Sequence, residues 1–192
     1  KDCLFKLFFF IKGKQNIAVA PKYINKFKLS KIYRKPDSVL LKIYHWLINS
    51  SKGYSPGCIS LSGFNYSDES SESGFRTHEW LSGGAIMHFK KNLILKNYYP
   101  YNFKRSYCED ILHSLILRNN RIKLLKLYTS KVYTPQSKKI NNEVSIFLIF
   151  KNLFQEFLIR FYIVKKFNLS ILRLFIFYLI YFLRILLIYV KK

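Results

Sequence analysis

Acidic residues are the scarcest feature of this 192-residue chain, with ten Asp and Glu against 33 Lys and Arg and a formal net charge of +23. That balance leaves few carboxylates for acid–base chemistry and points to anionic partners such as nucleic acid, anionic lipid headgroups or phosphorylated substrates. Heavy use of Lys, Asn, Ile, Tyr and Phe is a compositional bias that offers a second source of the Lys content. Cysteine is also sparse. Cys3, Cys58 and Cys108 lie far apart and make no CxxC or CxxH spacing, which argues against a disulfide framework and for reduced thiols in a cytoplasmic setting. His45, His78, His88 and His113 form no HxxxH or HExxH pair, so a zinc site is not expected. Nothing at the start reads as a signal peptide: the apolar run at residues 7–11 is too short and no small-residue cleavage site follows. With Lys at position 1, the chain is expected to begin partway into a larger domain.

What is present is apolar and aromatic. Half of the residues are hydrophobic, enough for one ordinary domain plus an extension. Helical spacing of Leu4, Phe5, Leu7, Phe8 and Ile11 predicts a helix over 1–12, closed by Gly13. IAVAP at 17–21 reads as a buried strand. Residues 38–48 have helical periodicity behind Asp37 or Ser38 as N-cap. The Ser-, Gly- and Asn-rich stretch from 49 to 74 reads as a loop or hairpin with a mobile tip at 67–74. A strand is expected to follow the turn at 80–84, then a short helix in KKNLILKNYY. Residues 109–119 predict an amphipathic helix with two carboxylates in its first turn, where the helix dipole favours them. IKLLKLY and KVYT, within 122–134, read as strands. A polar linker at 137–143 precedes two apolar helices, about 144–165 and 168–190, separated by KKFN.

The ten acidic residues can be sorted by place. Asp68, Glu69, Glu72 and Glu79 fall in or beside the Ser-rich stretch, Asp2 and Asp37 flank early helices, and Glu143 and Glu156 lie in the tail. Glu109 and Asp110 remain, adjacent at a helix start behind the aromatic and basic loop YYPYNFKRSYC. The pair could cap a helix or face a cleft.

The order of WLSGGAIMHFKK, then YCEDILHSLILR, then KLLKLYTSKVYT resembles the second half of family-2 glycosyltransferases, which have the nucleotide-sugar-binding GT-A fold. GYSPGCISLSGFNY resembles the segment that precedes the glycine turn in that family, so the likeness runs over about residues 15–135. The matching positions are Trp80, Ser82, Gly83, Gly84, Glu109, Asp110, Ser114 and Arg118. The resemblance implies an α/β fold, a partial GT-A-type (Rossmann-like) domain at 1–136, and inverting transfer of a sugar from a nucleotide-sugar donor to a cell-surface polysaccharide or lipid-linked acceptor. It makes Asp110 the base that takes the acceptor hydroxyl proton and gives Glu109 an orienting or acceptor-binding role. Trp80 would stack on a sugar face or, equally, pack in the core. Ser82, Gly83 and Gly84 would let backbone approach a ligand. Arg118 would reach donor phosphate or pair with a carboxylate. Two departures stand out. The family's Asp-x-Asp motif, which binds a divalent metal (Mg or Mn) and the nucleotide, does not occur, and Thr134 stands where a metal-side His is common. Metal ligands are therefore expected mostly outside this chain, and the chain alone is expected to be inactive.

At 144–192 the apolar helices carry sparse cations. Arg173 and Arg184 interrupt the last one, and each costs roughly 2.5–3.5 kcal/mol near a bilayer centre. They are spaced to share one stripe, which suits a helix lying in the headgroup region with its arginines reaching lipid phosphates better than a true span, a helix buried in a larger assembly being the other reading. This implies peripheral or monotopic placement on an anionic membrane surface at the cytoplasmic face of the cell membrane. The alternative is a basic membrane-anchored or nucleic-acid-binding protein without catalysis. No RNP, KH or zinc pattern supports nucleic acid as a partner.

Overall fold

The computed structural model describes residues 2–25, 35–68, 73–134 and 146–190, and these gather into two compact units. The first comprises residues 1–30 and 68–144 and the second residues 31–67 and 145–192. The class is α/β: the described residues form a four-stranded mixed sheet and five helices.

In the first unit, helix α1 (Asp2–Ile11) leads into strand β1 (Ile17–Asn25), and Gly13 takes the positive φ that lets the chain turn between them. Strand β2 (Phe75–Thr77) and strand β3 (Met87–His88) are short. Helix α3 (Glu109–Asn119) then precedes strand β4 (Lys123–Thr134). The sheet order is β2-β4-β1-β3, with β1 and β4 parallel and the other two pairs antiparallel. Alternation along β1 feeds two cores, as the period of two requires. Ile17 and Val19 pack with Leu7 and Ile11 of α1, while Ala18 and Ala20 pack with Leu81 and Leu117 on the α3 side. The sheet is therefore covered by a helix on each face.

Two expectations are corrected in this unit. IKLLKLY and KVYT form one strand, β4, rather than two; its register against β1 jumps between Pro21, opposite Leu127, and Lys22, opposite Lys131. Proline has no N–H to offer a ladder, and the surplus residues on β4 form a bulge at that point. The helix expected in KKNLILKNYY is only a 3-10 turn, Lys90–Asn92. Asn92 donates its side-chain amide to the Ile17 carbonyl on β1, and Asn97 accepts the Tyr99 N–H at 3.1 Å, which takes that N–H from a helical carbonyl.

In the second unit, α2 (Val39–Asn49) starts at Ser38, whose hydroxyl accepts the Leu41 N–H. Helices α4 (Ile146–Lys166) and α5 (Ile171–Val190) are separated by a break at which Asn168 has φ +53°. They do not stand as a bare tail. Ile48 from α2, Val164 from α4 and Leu174, Phe177 and Tyr178 from α5 share a core with Phe64 and Tyr66. The Ser- and Gly-rich stretch thus supplies core residues, through a hairpin-like segment bridged at Ile59 and Asn65. Its turn needs Gly63, which has φ +75° and where a Cβ would meet Val164 at 3.1 Å. The expected tip at 67–74 lies partly outside the described residues and the linker at 137–143 lies wholly outside them; Asp68 itself is buried.

Arg173 also departs from the lipid-facing role expected for it. Its guanidinium donates to the carbonyls of Trp46 and Leu47 at the end of α2 and lies 5.8 Å from the Trp46 ring. Exposed carbonyls at a helix C-terminus attract a cation, and this one is satisfied within the protein. Among the described residues, no helix is long and apolar enough to cross a membrane.

Candidate active site

The segment 78–84 runs from the end of β2 to the glycine turn. His78 N–H bonds to the Leu124 carbonyl, which continues the β2–β4 pairing by one residue. Leu81 then plugs the core on the α3 side, and its N–H donates to the buried hydroxyl of Ser114 at 3.0 Å. That bond fixes the turn against the middle of α3. Gly83 and Gly84 are exposed, with Ser82 half-buried before them and Trp80 half-buried two residues earlier.

Asp110 lies where the sequence places it, in the first turn of α3, and the structure brings it to the glycine turn. A Cβ on Gly83 would sit 3.6 Å from the Asp110 Cβ, an ordinary contact. The Asp110 side chain is half-buried, and its Oδ1 accepts the Ile111 N–H at 2.9 Å. One carboxylate oxygen therefore does cap work. Cys108, the left-handed residue at the N-cap position, gives no side-chain capping hydrogen bond.

Glu109 serves a different neighbourhood. The Tyr98 hydroxyl donates to its Oε1 at 3.4 Å, and burial, followed by the Glu109 charge and that hydrogen bond, pushes the Tyr98 pKa up to about 12. One turn along α3, the His113 ring lies 5.7 Å from the Tyr98 ring and 6.3 Å from that of His88. Burial and then the nearby His88 hold His113 below the usual imidazole range, with Glu109 opposing them. The Tyr99 hydroxyl bonds to the Tyr107 carbonyl at 2.9 Å and ties down the aromatic loop.

Arg118, in the last turn of α3, pairs with Glu79 at 3.6 Å, the carboxylate-pairing alternative of the two roles expected for it. Of the glycine pair, Gly84 must lack a side chain for a reason the sequence did not disclose. Neither residue has a positive φ, but a Cβ on Gly84 would come within 2.9 Å of the Tyr23 hydroxyl oxygen. That hydroxyl is buried and makes no hydrogen bond; burial raises its pKa, while the Ala85 backbone, outside bonding geometry, opposes the rise. Tyr23 carries no motif signal, and Tyr98 and His113, although they lie in the aromatic loop and in the α3 segment, meet only through the fold.

A second polar group lies at the β2–β4 side of the sheet. Asp68 accepts from the Tyr128 hydroxyl, and His78 Nε2 is 3.1 Å from the same carboxylate oxygen. Lys126 donates to the Asp68 carbonyl at 2.8 Å, and burial lowers its pKa despite the Asp68 charge. With Asp68 and His78 almost fully buried, this group latches residue 68 to the sheet.

Among the described residues, no group of three or more His, Cys, Asp or Glu could hold a metal ion. No protein-family profile, no curated protein and no solved structure matches the chain.

Proposed function

We propose that the first unit is the acceptor side of an inverting, nucleotide-sugar-dependent glycosyltransferase of GT-A type, acting on a polysaccharide or lipid-linked acceptor at the cytoplasmic face of a membrane. The observation that carries the reading is that a Cβ on Gly83 would lie 3.6 Å from the Asp110 Cβ, although these two positions, which the family resemblance assigns to one site, are 27 residues apart in sequence. The mixed sheet with a helix on each face is the scaffold such a site needs, since it presents the start of α3 and a turn side by side.

In this mechanism an acceptor sugar lies over the exposed glycine turn, with Trp80 beside it. The Asp110 carboxylate takes the proton of the acceptor hydroxyl as that oxygen attacks the anomeric carbon from the face opposite the leaving nucleotide. The Ile111 N–H holds Oδ1 and so restrains the carboxylate's orientation. Glu109 organises Tyr98 and the aromatic loop. Donor and metal binding are assigned to residues other than these 192, so transfer is not expected from this chain alone.

The test uses the enzyme in which this segment accompanies its donor-binding portion. Asp110→Asn is expected to lower kcat by about 10²–10⁴-fold, the range for loss of a general base, with donor affinity unchanged. Equal turnover in the mutant removes Asp110 as the base and the mechanism with it.

A further inference from the structure

The second unit carries thirteen Lys and Arg against two acidic residues, Asp37 and Glu156, and Glu156 is paired with Arg160. Between α2 and α5 runs an open groove of about 300 Å³. Leu40, Ile43 and Leu47 line it from α2, and Ile180 and Tyr181 from α5, so its walls are almost wholly hydrocarbon and aryl. One charged side chain, the exposed Arg184, also lines it. Neither helix contains an Asp or Glu. On both sides the apolar surface continues outward, through Val39 and Trp46 on α2 and Leu179 and Leu183 on α5, all at least half exposed.

From this arrangement we infer that the groove between α2 and α5 holds one hydrocarbon chain of an anionic phospholipid, with the lipid phosphate at Arg184. An apolar channel with a single cation matches an amphiphile whose tail is apolar and whose head is anionic. A peptide would find little in such walls to satisfy its backbone. A second copy of the chain would bring the same excess of positive charge, whereas a lipid surface brings the opposite sign. The inference concerns the second unit only and does not depend on sugar transfer.

Trp46, one helical turn from Ile43, serves as reporter once Trp80→Phe removes the other tryptophan. The full chain is mixed with vesicles of phosphatidylcholine and phosphatidylglycerol in which bromine atoms are placed on the chains of one lipid or of the other at equal amount. Brominated phosphatidylglycerol is expected to quench Trp46 more than brominated phosphatidylcholine by about twofold or more, as a site selective for the anionic lipid requires. Leu40→Glu and Arg184→Gln, both at exposed helical positions, are expected to abolish the difference with the circular dichroism spectrum unchanged. Equal quenching by the two lipids would mean general bilayer contact without a lipid site and overturns the inference. Sedimentation with vesicles but no quenching would place the contact elsewhere, and a chain that stays off vesicles would remove membrane contact altogether. Dimerisation without lipid that Leu40→Glu abolishes would put a second copy in the groove. Each of these results overturns the lipid assignment and leaves the role of Asp110 to its own test.

Discussion

The Leu81 N–H donates to the Ser114 hydroxyl at 3.0 Å, and through this one buried bond the segment leading into the glycine turn is anchored to the helix that carries Asp110. Removing the oxygen leaves the amide in the core without its acceptor. Ser114→Ala is therefore expected to cost about 1–3 kcal/mol, the penalty for an unsatisfied buried donor. The midpoint of urea unfolding measures it. A midpoint equal to the wild type would mean that the turn finds another acceptor.

Gly84 makes a separate claim about the same turn. A Cβ there would approach the Tyr23 hydroxyl oxygen to 2.9 Å, closer than such atoms pack. Gly84→Ala is expected to destabilise by about 1–3 kcal/mol through overpacking. Tyr23→Phe removes a buried hydroxyl that makes no hydrogen bond, so alone it should be neutral or mildly stabilising. In the double variant the space freed by the oxygen should return much of the loss. Additive effects in that cycle would show that the two residues do not meet.

How much of this could be read in the sequence varies with the range of the interaction. The bounds of α3 follow from local pattern, two carboxylates ahead of Ile111, Leu112 and Leu115 with Asn119 and Asn120 at the end, and the structure gives Glu109–Asn119. The break between α4 and α5 was equally local, because Asn tolerates the positive φ that residue 168 adopts. The core role of Phe64 and Tyr66 was hidden by the serines and glycines around them. The composition reads as loop, yet the Ser60 and Ser62 hydroxyls bond each other at 2.8 Å inside the fold and so remove the cost of their burial. Asp68 was lost for another reason. Its partners His78 and Tyr128 lie on either side of the β2–β4 pairing, and only the register brings them to one carboxylate.

Histidine sets a pH dependence whose direction is fixed. His113 is held below its ordinary value of 6.5 by burial and then by His88, and burial does the same to His45, whose Nε2 is buried without a partner. Each ring prefers to be neutral in the fold, so the unfolded chain takes up protons first as pH falls. Their contribution is complete above the unfolded value and is lost as pH drops from there through the folded values. Tm is expected to fall between about pH 7.5 and about pH 5.5, and His113→Gln should flatten that slope. A slope unaffected by the substitution would assign the dependence to other groups.

Arg160 is the cation on which the second unit depends most. It is almost fully buried, bonds Glu156 through Nε at 2.9 Å, donates to the Gly63 carbonyl, and lies near the Phe64 and Phe177 rings at 6.0 and 5.9 Å. One guanidinium thus joins α4, the glycine turn of the hairpin and the aromatic core. Arg160→Met keeps much of the apolar volume but leaves a carboxylate without its cation and a buried carbonyl without its donor. The expected loss is about 3–5 kcal/mol, as for breaking one side of a buried pair. Arg160→Lys should recover little, because a single ammonium cannot match the planar fork that reaches both acceptors. Glu156→Gln should cost less than Arg160→Met, since Glu156 is partly exposed and Arg160 keeps the Gly63 bond. Urea unfolding followed by near-UV circular dichroism ranks the three variants. If Glu156→Gln costs as much as Arg160→Met, the ion pair rather than the bond to Gly63 is what the unit needs from this residue.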